Sequence, residues 1–281
     1  RELRRTGINA DVILCRADEI IDKSHLEKIA LFCDVDLVAV IPAMTVKSIY
    51  EVPINFHDYK ITDQIMKHLN LDHRKPNVKE WKKFVNKINS DLPEIKIALI
   101  GKYTELKDAY LSVVEAVKAA SYFHDLKADL IWVDSDKIES VGKGSKEEWD
   151  KLKQAKGVIV MGGFGKRGIE GKIMVAKYAR ENNVPYLGIC LGMQIAAIEF
   201  ARNVLGLKDA HSTEFNEKTS NPVIYFIPGQ ESIKRKGGTM RLGDYECVLD
   251  KKSKSFSVYK SDKITERHRH RYEFNDSYKE S

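Results

Sequence analysis

The sequence contains no apolar run that approaches the ~20 residues needed to cross a bilayer, and no secretory leader follows its first residue, Arg1. Cysteine is scarce: four occur in 281 residues, and none forms a Cys-x-x-Cys pair. These absences exclude a membrane-embedded chain, disfavour a disulfide scaffold and predict a reducing, cytoplasmic location. Because Arg1 opens a polar run typical of a helix interior, we expect the N-terminus to be truncated.

Positive charge is in slight excess, with a formal net charge of +6, but the basic residues are interleaved with 41 acidic ones. This mixture disfavours nucleic acid as a partner and favours small anionic molecules. The exception is a basic cluster at residues 267–271 (RHRHR). Taken alone, this cluster fits either a nucleic-acid patch or a solvated face, and solvated faces are the commoner case.

The length and the hydrophobic pattern predict two domains joined by a linker. Residues 1–70 read as the end of an α/β unit, residues 71–94 as a polar, Lys-rich linker and residues 95–281 as a second domain. Trp81 and Phe84 indicate that part of the linker packs. In the first segment the expected elements are a strand, a helix and a strand, at Ala10–Cys15, Leu26–Phe32 and Leu37–Pro42.

The second domain shows a regular alternation of strand-length and helix-length apolar runs, which predicts a doubly wound, mostly parallel sheet. The predicted strands are Ile95–Ile100, Ala128–Val133, Gly157–Met161 and Val184–Ile189, and the helices include Ala109–Phe123 and Ile169–Asn182. After Asn221 we expect an antiparallel extension. Its predicted strands are Val223–Ile227, Met240–Leu249 and Ser255–Lys260.

The strongest chemical signal is Cys190, which stands in a Gly-x-Cys-x-Gly run between an apolar strand and a helix. This pattern is typical of a nucleophile elbow with Cys in place of Ser. Gly188 and Gly192 permit a strained turn, and the helix N-terminus favours a thiolate and offers the Leu191 amide to an oxyanion. The alternative is a buried structural Cys at a strand end, which the flanking glycines disfavour.

A second glycine cluster, residues 161–168 (MGGFGKRG), follows a buried strand and can bring backbone N–H groups to a developing negative charge. Alone it is a weak signal, because any tight strand-to-helix turn can be rich in glycine. No Gly-x-x-x-x-Gly-Lys-Ser/Thr run occurs, so the sequence offers no phosphate-binding loop of that type.

These two motifs and their order resemble class I glutamine amidotransferases, and further runs resemble CTP synthases within that group. The elbow and glycine runs are residues 188–194 (GICLGMQ) and 162–171 (GGFGKRGIEG), and the others are 210–215 (AHSTEF), 237–243 (GGTMRLG), 266–273 (ERHRHRYE) and 28–33 (KIALFC), with Ser48, Ile49, Tyr50 and Pro53. The resemblance implies an α/β fold of two domains. The first is the end of a P-loop-like amidoligase domain, and the second is a doubly wound, flavodoxin-like glutamine amidotransferase domain.

The resemblance also implies roles for individual residues in a glutamine site. Cys190 corresponds to the nucleophile, with the Phe164 and Leu191 amides as the oxyanion hole. Glu214 and Arg269 present opposite charges to the amino and carboxylate groups of glutamine. The full set of expected glutamine-binding residues is Gly163, Phe164, Leu191, Gln194, Glu214 and Arg269.

Nucleotide sites are implied less specifically. Lys28 corresponds to a position that contacts the uracil nucleotide and Val46 to one near ATP, although a surface Lys and a packing Val fit these positions equally well. Arg167, Glu170, Gly238 and Arg241 correspond to the region of a GTP activator and a mobile lid. The family implies ATP with Mg²⁺, whose ligands would precede Arg1, UTP as substrate, CTP as feedback inhibitor and a homodimer or homotetramer.

One departure concerns the catalytic relay, because none of the eight His residues precedes a Pro, and His25, in the first segment, is the one His that stands two places before a Glu. The family's His-x-Glu segment would follow Ser281, and its ATP site would precede Arg1. We therefore expect the chain to fold but to be inactive by itself. Two alternatives remain open: a cysteine hydrolase of the same fold, and a non-catalytic regulatory or assembly module.

Overall fold

The computed structural model describes residues 2–72, 75–102, 107–227 and 240–280, and it divides into two compact units. One unit holds the chain up to Pro93 together with Tyr122–Lys127, and the other holds Glu94–Ser121 and the chain from Ala128 onward. No helix within these ranges is long and apolar enough to cross a bilayer.

The described part of the first unit contains a short parallel sheet and five α-helices. Strands β1 and β2 pair in parallel with Ile13 opposite Val40, and helix α2 connects them. The predicted strand, helix and strand are therefore confirmed, although Leu37–Ala39 forms a 3₁₀ turn before the second strand. The bounds are α1 Glu2–Arg5, β1 Ile13–Ala17, α2 Lys23–Cys33, β2 Val40–Met44, α3 Val52–Asp58, α4 Ile61–His68 and α5 Lys79–Ile88.

Helix α5 lies within the segment predicted as a linker, and it packs inside the first unit. The rings of Trp81 and Phe84 lie 6.1 and 5.3 Å from the ring of Tyr50, and Trp81 Nε1 donates a hydrogen bond of 2.8 Å to the Tyr50 carbonyl. Aromatic contacts of this kind contribute about 0.5–1.5 kcal/mol beyond the area they bury. The expectation that Trp81 and Phe84 pack is confirmed.

The second unit is built on a four-stranded sheet in the order β4-β3-β5-β6, where β3, β5 and β6 pair in parallel. Since the chain passes from β3 to β4 on one side and then returns to β5 on the other, the strand order reverses beside β3. Ligands bind at the carboxyl ends of the strands next to such a reversal. The bounds are β3 Glu94–Gly101, α6 Leu111–Phe123, β4 Lys127–Asp134, α7 Ser135–Glu139, α8 Lys143–Leu152, β5 Gly157–Val160, α9 Ile169–Glu181, β6 Tyr186–Gly188 and α10 Leu191–Asn203.

Successive side chains of a strand point to opposite faces of a sheet, so an apolar strand presents apolar side chains on both faces. Helices cover both faces of this sheet. Ala98 and Ile100 of β3 point to a core shared with α7, α8 and α9, whereas Leu99 points to the opposite core, against which α6 packs. All three side chains are fully buried. The prediction of a doubly wound parallel sheet is therefore confirmed.

The rest of the unit contains antiparallel pairs, as predicted, but one predicted element is wrong. Strand β11 pairs with β8 and β10 pairs with β9, both antiparallel. Residues 255–260, expected as a strand, belong to helix α11, because the Ser253 hydroxyl accepts a hydrogen bond from the Phe256 N–H and caps the first turn. The bounds are β7 His211–Ser212, β8 Pro222–Phe226, β9 Arg241–Val248, α11 Lys254–Tyr259, β10 Lys263–His270 and β11 Tyr272–Phe274.

Candidate active site

Cys190 lies at the turn between β6 and α10, with φ of 56° and ψ of −105°. A residue with a side chain is strained at such a positive φ, and strain of this kind is concentrated at functional sites. The turn places the thiol at the carboxyl end of β6 and at the N-terminus of α10. The strand-turn-helix context expected for Cys190 is present, and its role as a nucleophile remains a prediction.

Two glycines allow this turn to pack closely. A Cβ on Gly192 would collide with the carbonyl oxygen of Val160 in β5, and a Cβ on Gly188 would collide with the Gly192 carbonyl. The close approach of α10 to the sheet therefore requires glycine at both positions.

The environment of the sulfur favours the neutral thiol at rest. Burial raises the pKa of the Cys190 thiol, and the Glu214 carboxylate raises it further, whereas a hydrogen bond from the Leu191 N–H and the Lys172 ammonium lower it. A base must therefore take the thiol proton before attack. Within the described ranges no imidazole forms a hydrogen bond with this sulfur.

The glycine cluster forms a loop that begins after β5 and lies against Cys190. Gly162 packs on the cysteine, since the position of a Cβ on Gly162 is 3.9 Å from Sγ. Lys102, at the end of β3, holds the loop because its Nζ donates to the carbonyls of Phe164 at 3.1 Å and Gly165 at 2.7 Å. A buried ammonium thus fixes the peptide planes next to the expected oxyanion donor.

Lys172 contributes a second buried ammonium on helix α9. Its side chain is fully buried, and Nζ donates a hydrogen bond of 2.9 Å to the Met161 carbonyl. Burial lowers its pKa to about 7, the Lys102 ammonium lowers it as well, and Cys190 and Asp136 act in the opposite direction.

We expect the lowered pKa of Lys172 to make the protein more stable as pH rises from 7.5 to 8.5. Between about 7 and the ordinary value of 10.5, the unfolded chain binds the proton that the folded chain releases, so the free energy of unfolding increases with pH. The increase is on the order of 1 kcal/mol per pH unit. Urea unfolding at both pH values measures it.

Lys172→Met is expected to remove this pH dependence, because methionine has nearly the same length and no charge. Lys177→Met is the matched control, since Lys177 lies on the same helix, is exposed and pairs with Glu181 at 3.9 Å. An equal pH dependence in Lys172→Met and the wild type would show that Lys172 does not titrate in this range.

A cavity of about 400 Å³ opens in front of Cys190. Its lining combines the carboxylate of Glu214 with the guanidinium groups of Arg269 and Arg271. A cavity with both charges suits a small zwitterionic molecule. All six residues expected to bind glutamine line it together with Cys190: Gly163, Phe164, Leu191, Gln194, Glu214 and Arg269.

Hydrogen bonds and a ring contact within the second unit position the polar side chains of the cavity. Gln194 is buried, and its Nε2 donates to the Tyr272 carbonyl at 3.1 Å. Glu214 Oε1 accepts a hydrogen bond of 3.4 Å from the Gly165 N–H. The Arg269 guanidinium lies 5.9 Å from the centre of the exposed Phe164 ring, within the range of a cation–π contact.

The described residues expected near GTP and the lid each form an ion pair with a different partner. Arg167 pairs with Asp136 at 2.8 Å, Glu170 pairs with Arg202 at 2.8 Å, and Arg241 pairs with Glu273 at 3.4 Å. Gly238 lies outside the described residues. A GTP site at these positions remains a prediction.

In the first unit, the structure separates the two residues expected to bind nucleotides. Val46 follows β2 and lines a cavity of about 370 Å³ together with Arg16 and Asn55. Lys28 is exposed on α2 and is not among the residues that line this cavity.

The sequence interpretation missed three basic residues of the site: Lys102, Lys172 and Arg271. Two signals were available, because Lys102 directly follows a buried strand, and Lys172 falls on the apolar face of its helix, three residues after Ile169 and four before Ala176. Arg271 was noted only as part of the basic cluster, and it is buried in the cavity wall.

Comparison with known families matches residues 105–281 to the family described as Glutamine amidotransferase class-I. The chain belongs to this family. Residues 1–71 match the family described as CTP synthase N-terminus. The expected resemblance of both segments is confirmed.

Curated relatives extend the similarity to the whole chain. A CTP synthase of Caldanaerobacter subterraneus subsp. tengcongensis is 49% identical over 280 residues, which cover 100% of this amidotransferase chain and 51% of the relative. A CTP synthase of Methanocaldococcus jannaschii is 47% identical over 287 residues, which cover 100% of the chain and 52% of the relative. The chain therefore spans about half the length of these curated relatives.

Among solved structures, the chain is similar to the glutaminase domain of Trypanosoma brucei CTPS with bound acivicin. The two are 39% identical with a TM-score of 0.59, and the match covers 66% of this chain and 70% of that chain. This likeness agrees with the class I amidotransferase fold of the second unit.

Proposed function

We propose that the second unit hydrolyses L-glutamine at Cys190 and that the intact protein uses the ammonia to convert UTP to CTP. The observation that carries this proposal is that Cys190, in a strained conformation, lines a cavity that holds both a carboxylate and guanidinium groups. The names of the curated relatives, CTP synthase, support the overall reaction.

In the glutaminase step, a base removes the thiol proton and the Cys190 thiolate attacks the side-chain amide carbon of glutamine. The carbonyl oxygen becomes an oxyanion next to the Phe164 and Leu191 N–H groups. The amide nitrogen accepts a proton and leaves as ammonia, and water then hydrolyses the glutamyl thioester to glutamate and the free thiol. The loop carbonyls held by Lys102 keep the Phe164 peptide in place during this step.

In the ligase step, ATP phosphorylates O4 of UTP, and ammonia then displaces the phosphate to give CTP, ADP and phosphate. Delivering ammonia within the protein raises its effective concentration and avoids its protonation in water. Among the described residues, no three His, Cys, Asp or Glu side chains come together in a group that fits a metal ion. Activation by GTP, inhibition by CTP, assembly as a homodimer or homotetramer and a cytoplasmic location belong to the same proposal.

Arg269→Ala in the intact protein tests the glutamine site. We expect the glutamine concentration for half-maximal CTP formation to rise about 10- to 100-fold, because a charge-assisted hydrogen bond to the substrate carboxylate contributes about 1.5–3 kcal/mol. The responses to ATP and UTP should change little. Initial rates measured with varied glutamine at saturating nucleotides give the result.

Arg267→Ala is the matched control, because Arg267 lies two residues earlier on the same strand, faces Asp244 across the ladder and does not line the cavity. It should leave the glutamine requirement unchanged. An unchanged requirement in Arg269→Ala as well would remove Arg269 from the glutamine site and assign its side chain to the solvated face of the cluster.

A further inference from the structure

Lys172 is a buried charge for which the glutaminase step described above assigns no role. Within the described part of the chain no carboxylate lies within ion-pair distance of its ammonium, which donates a hydrogen bond to the Met161 carbonyl. A buried lysine without such a partner is costly, so it requires a reason beyond packing.

The carbonyl that Lys172 binds belongs to the residue before Gly162, and Gly162 packs against Cys190. Met161 directly precedes Gly162, and the position of a Cβ on Gly162 is 3.5 Å from the Cys190 Cβ and 3.9 Å from Sγ. By holding the Met161 carbonyl, Lys172 fixes the start of the glycine loop at the place where the loop meets the cysteine.

The charges of Lys172 and Cys190 also influence each other. The Lys172 ammonium lowers the pKa of the Cys190 thiol, and the Cys190 thiolate raises the pKa of Lys172. The other charged groups that act here are Glu214, which disfavours the thiolate, and Lys102 and Asp136, which act on Lys172 with opposite signs. The thiolate and the ammonium therefore stabilise each other.

We propose that Lys172 is a positioning residue for Cys190: its ammonium fixes the base of the glycine loop and stabilises the ionised sulfur from behind the cavity. This proposal rests on the proposed role of Cys190 as the nucleophile. Lys172 does not contact glutamine, because it is fully buried and does not line the cavity. Its role is to keep the thiolate available once the proton has left.

The test is the rate at which iodoacetamide alkylates Cys190 in the intact protein, followed by mass spectrometry of the Cys190 peptide from pH 6 to 10. Thiolate displaces iodide and thiol does not, so the rate reports ionisation of this sulfur. In Lys172→Met the rate at pH 6 to 6.5, where Lys172 is charged in the wild type, should fall about 10-fold, equivalent to one unit in the pKa of Cys190, and the two profiles should converge above pH 8.5, where Lys172 is neutral.

Lys177→Met should keep the wild-type profile, and the Cys247 peptide serves as an internal standard in each sample. A structural defect alone would change the rate by the same factor at every pH. An equal ratio of the two rates at pH 6 and at pH 9 in a folded Lys172→Met protein would overturn the proposal.

A second measurement leaves Lys172 in place, in case Lys172→Met does not fold. Electrostatic coupling is reciprocal, so a carboxylate in place of the thiolate should raise the pKa of Lys172: the pKa in Cys190→Asp should lie above that in Cys190→Ala, and ¹³C-labelled lysine reports both by NMR. An identical Lys172 titration in these two variants would overturn the proposal. Neither readout requires glutamine hydrolysis, so a failure of the proposed function and a failure of this inference are distinguishable.

Discussion

Cys190→Ala in the intact protein should reduce glutamine-dependent CTP formation more than about 1,000-fold and leave ammonia-dependent formation nearly unchanged. Among the described residues, two sulfur atoms line the charged cavity, in the thiol of Cys190 and in the thioether of Met240. The alanine removes the thiol, which is the one of the two that can form a thiolate. It leaves the ligase step, which uses free ammonia, intact. Parallel assays with glutamine and with ammonium chloride, at fixed ATP and UTP, measure the two rates.

Three other cysteines provide controls for this prediction. Cys15, Cys33 and Cys247 are free thiols and do not line the cavity. Their alanine variants should retain both rates apart from small effects on stability. Sustained use of glutamine by Cys190→Ala would remove this residue from the chemistry and make the cavity a binding site served by another nucleophile.

The sheet and the elbow were predictable because both depend on local sequence. The apolar run at residues 95–100 predicted a strand of a parallel sheet, and glycines on both sides of Cys190 indicated a strained turn between a strand and a helix. Short-range steric constraints determine such features, and a single sequence records them directly.

The supporting lysines were not predicted, because their role depends on where long side chains end. Lys102 reaches carbonyls 62 and 63 residues further along the chain, and Lys172 reaches back 11 residues to Met161. Neither spacing corresponds to a helix or strand period. The error at residues 255–260 had a local cause, since the alternating Phe256 and Val258 favoured a strand while the Ser253 cap stabilised a helix.

Gly192→Ala should destabilise the second unit by about 3 kcal/mol or more, although alanine is the better helix former. The added methyl group would meet the Val160 carbonyl oxygen, which also accepts a hydrogen bond of 2.9 Å from the Ile189 N–H. The colliding atoms belong to the backbone of α10 and of β5, so no side-chain rotation can relieve the collision. Either α10 moves away from the sheet or the hydrogen bond between Val160 and Ile189 breaks. The gain in helix propensity is about 1 kcal/mol and does not offset this cost.

Gly144→Ala is the matched control, because Gly144 lies in α8 and no atom lies within 4 Å of the position of its Cβ. Without a collision, only the helix propensity of alanine remains, and the protein should become more stable by about 0.5–1 kcal/mol. Urea unfolding of both variants and the wild type under the same conditions gives two differences of opposite sign. If Gly192→Ala unfolds at the same urea concentration as the wild type, α10 can shift without cost, and the close packing that holds Cys190 in its strained turn is not required for stability.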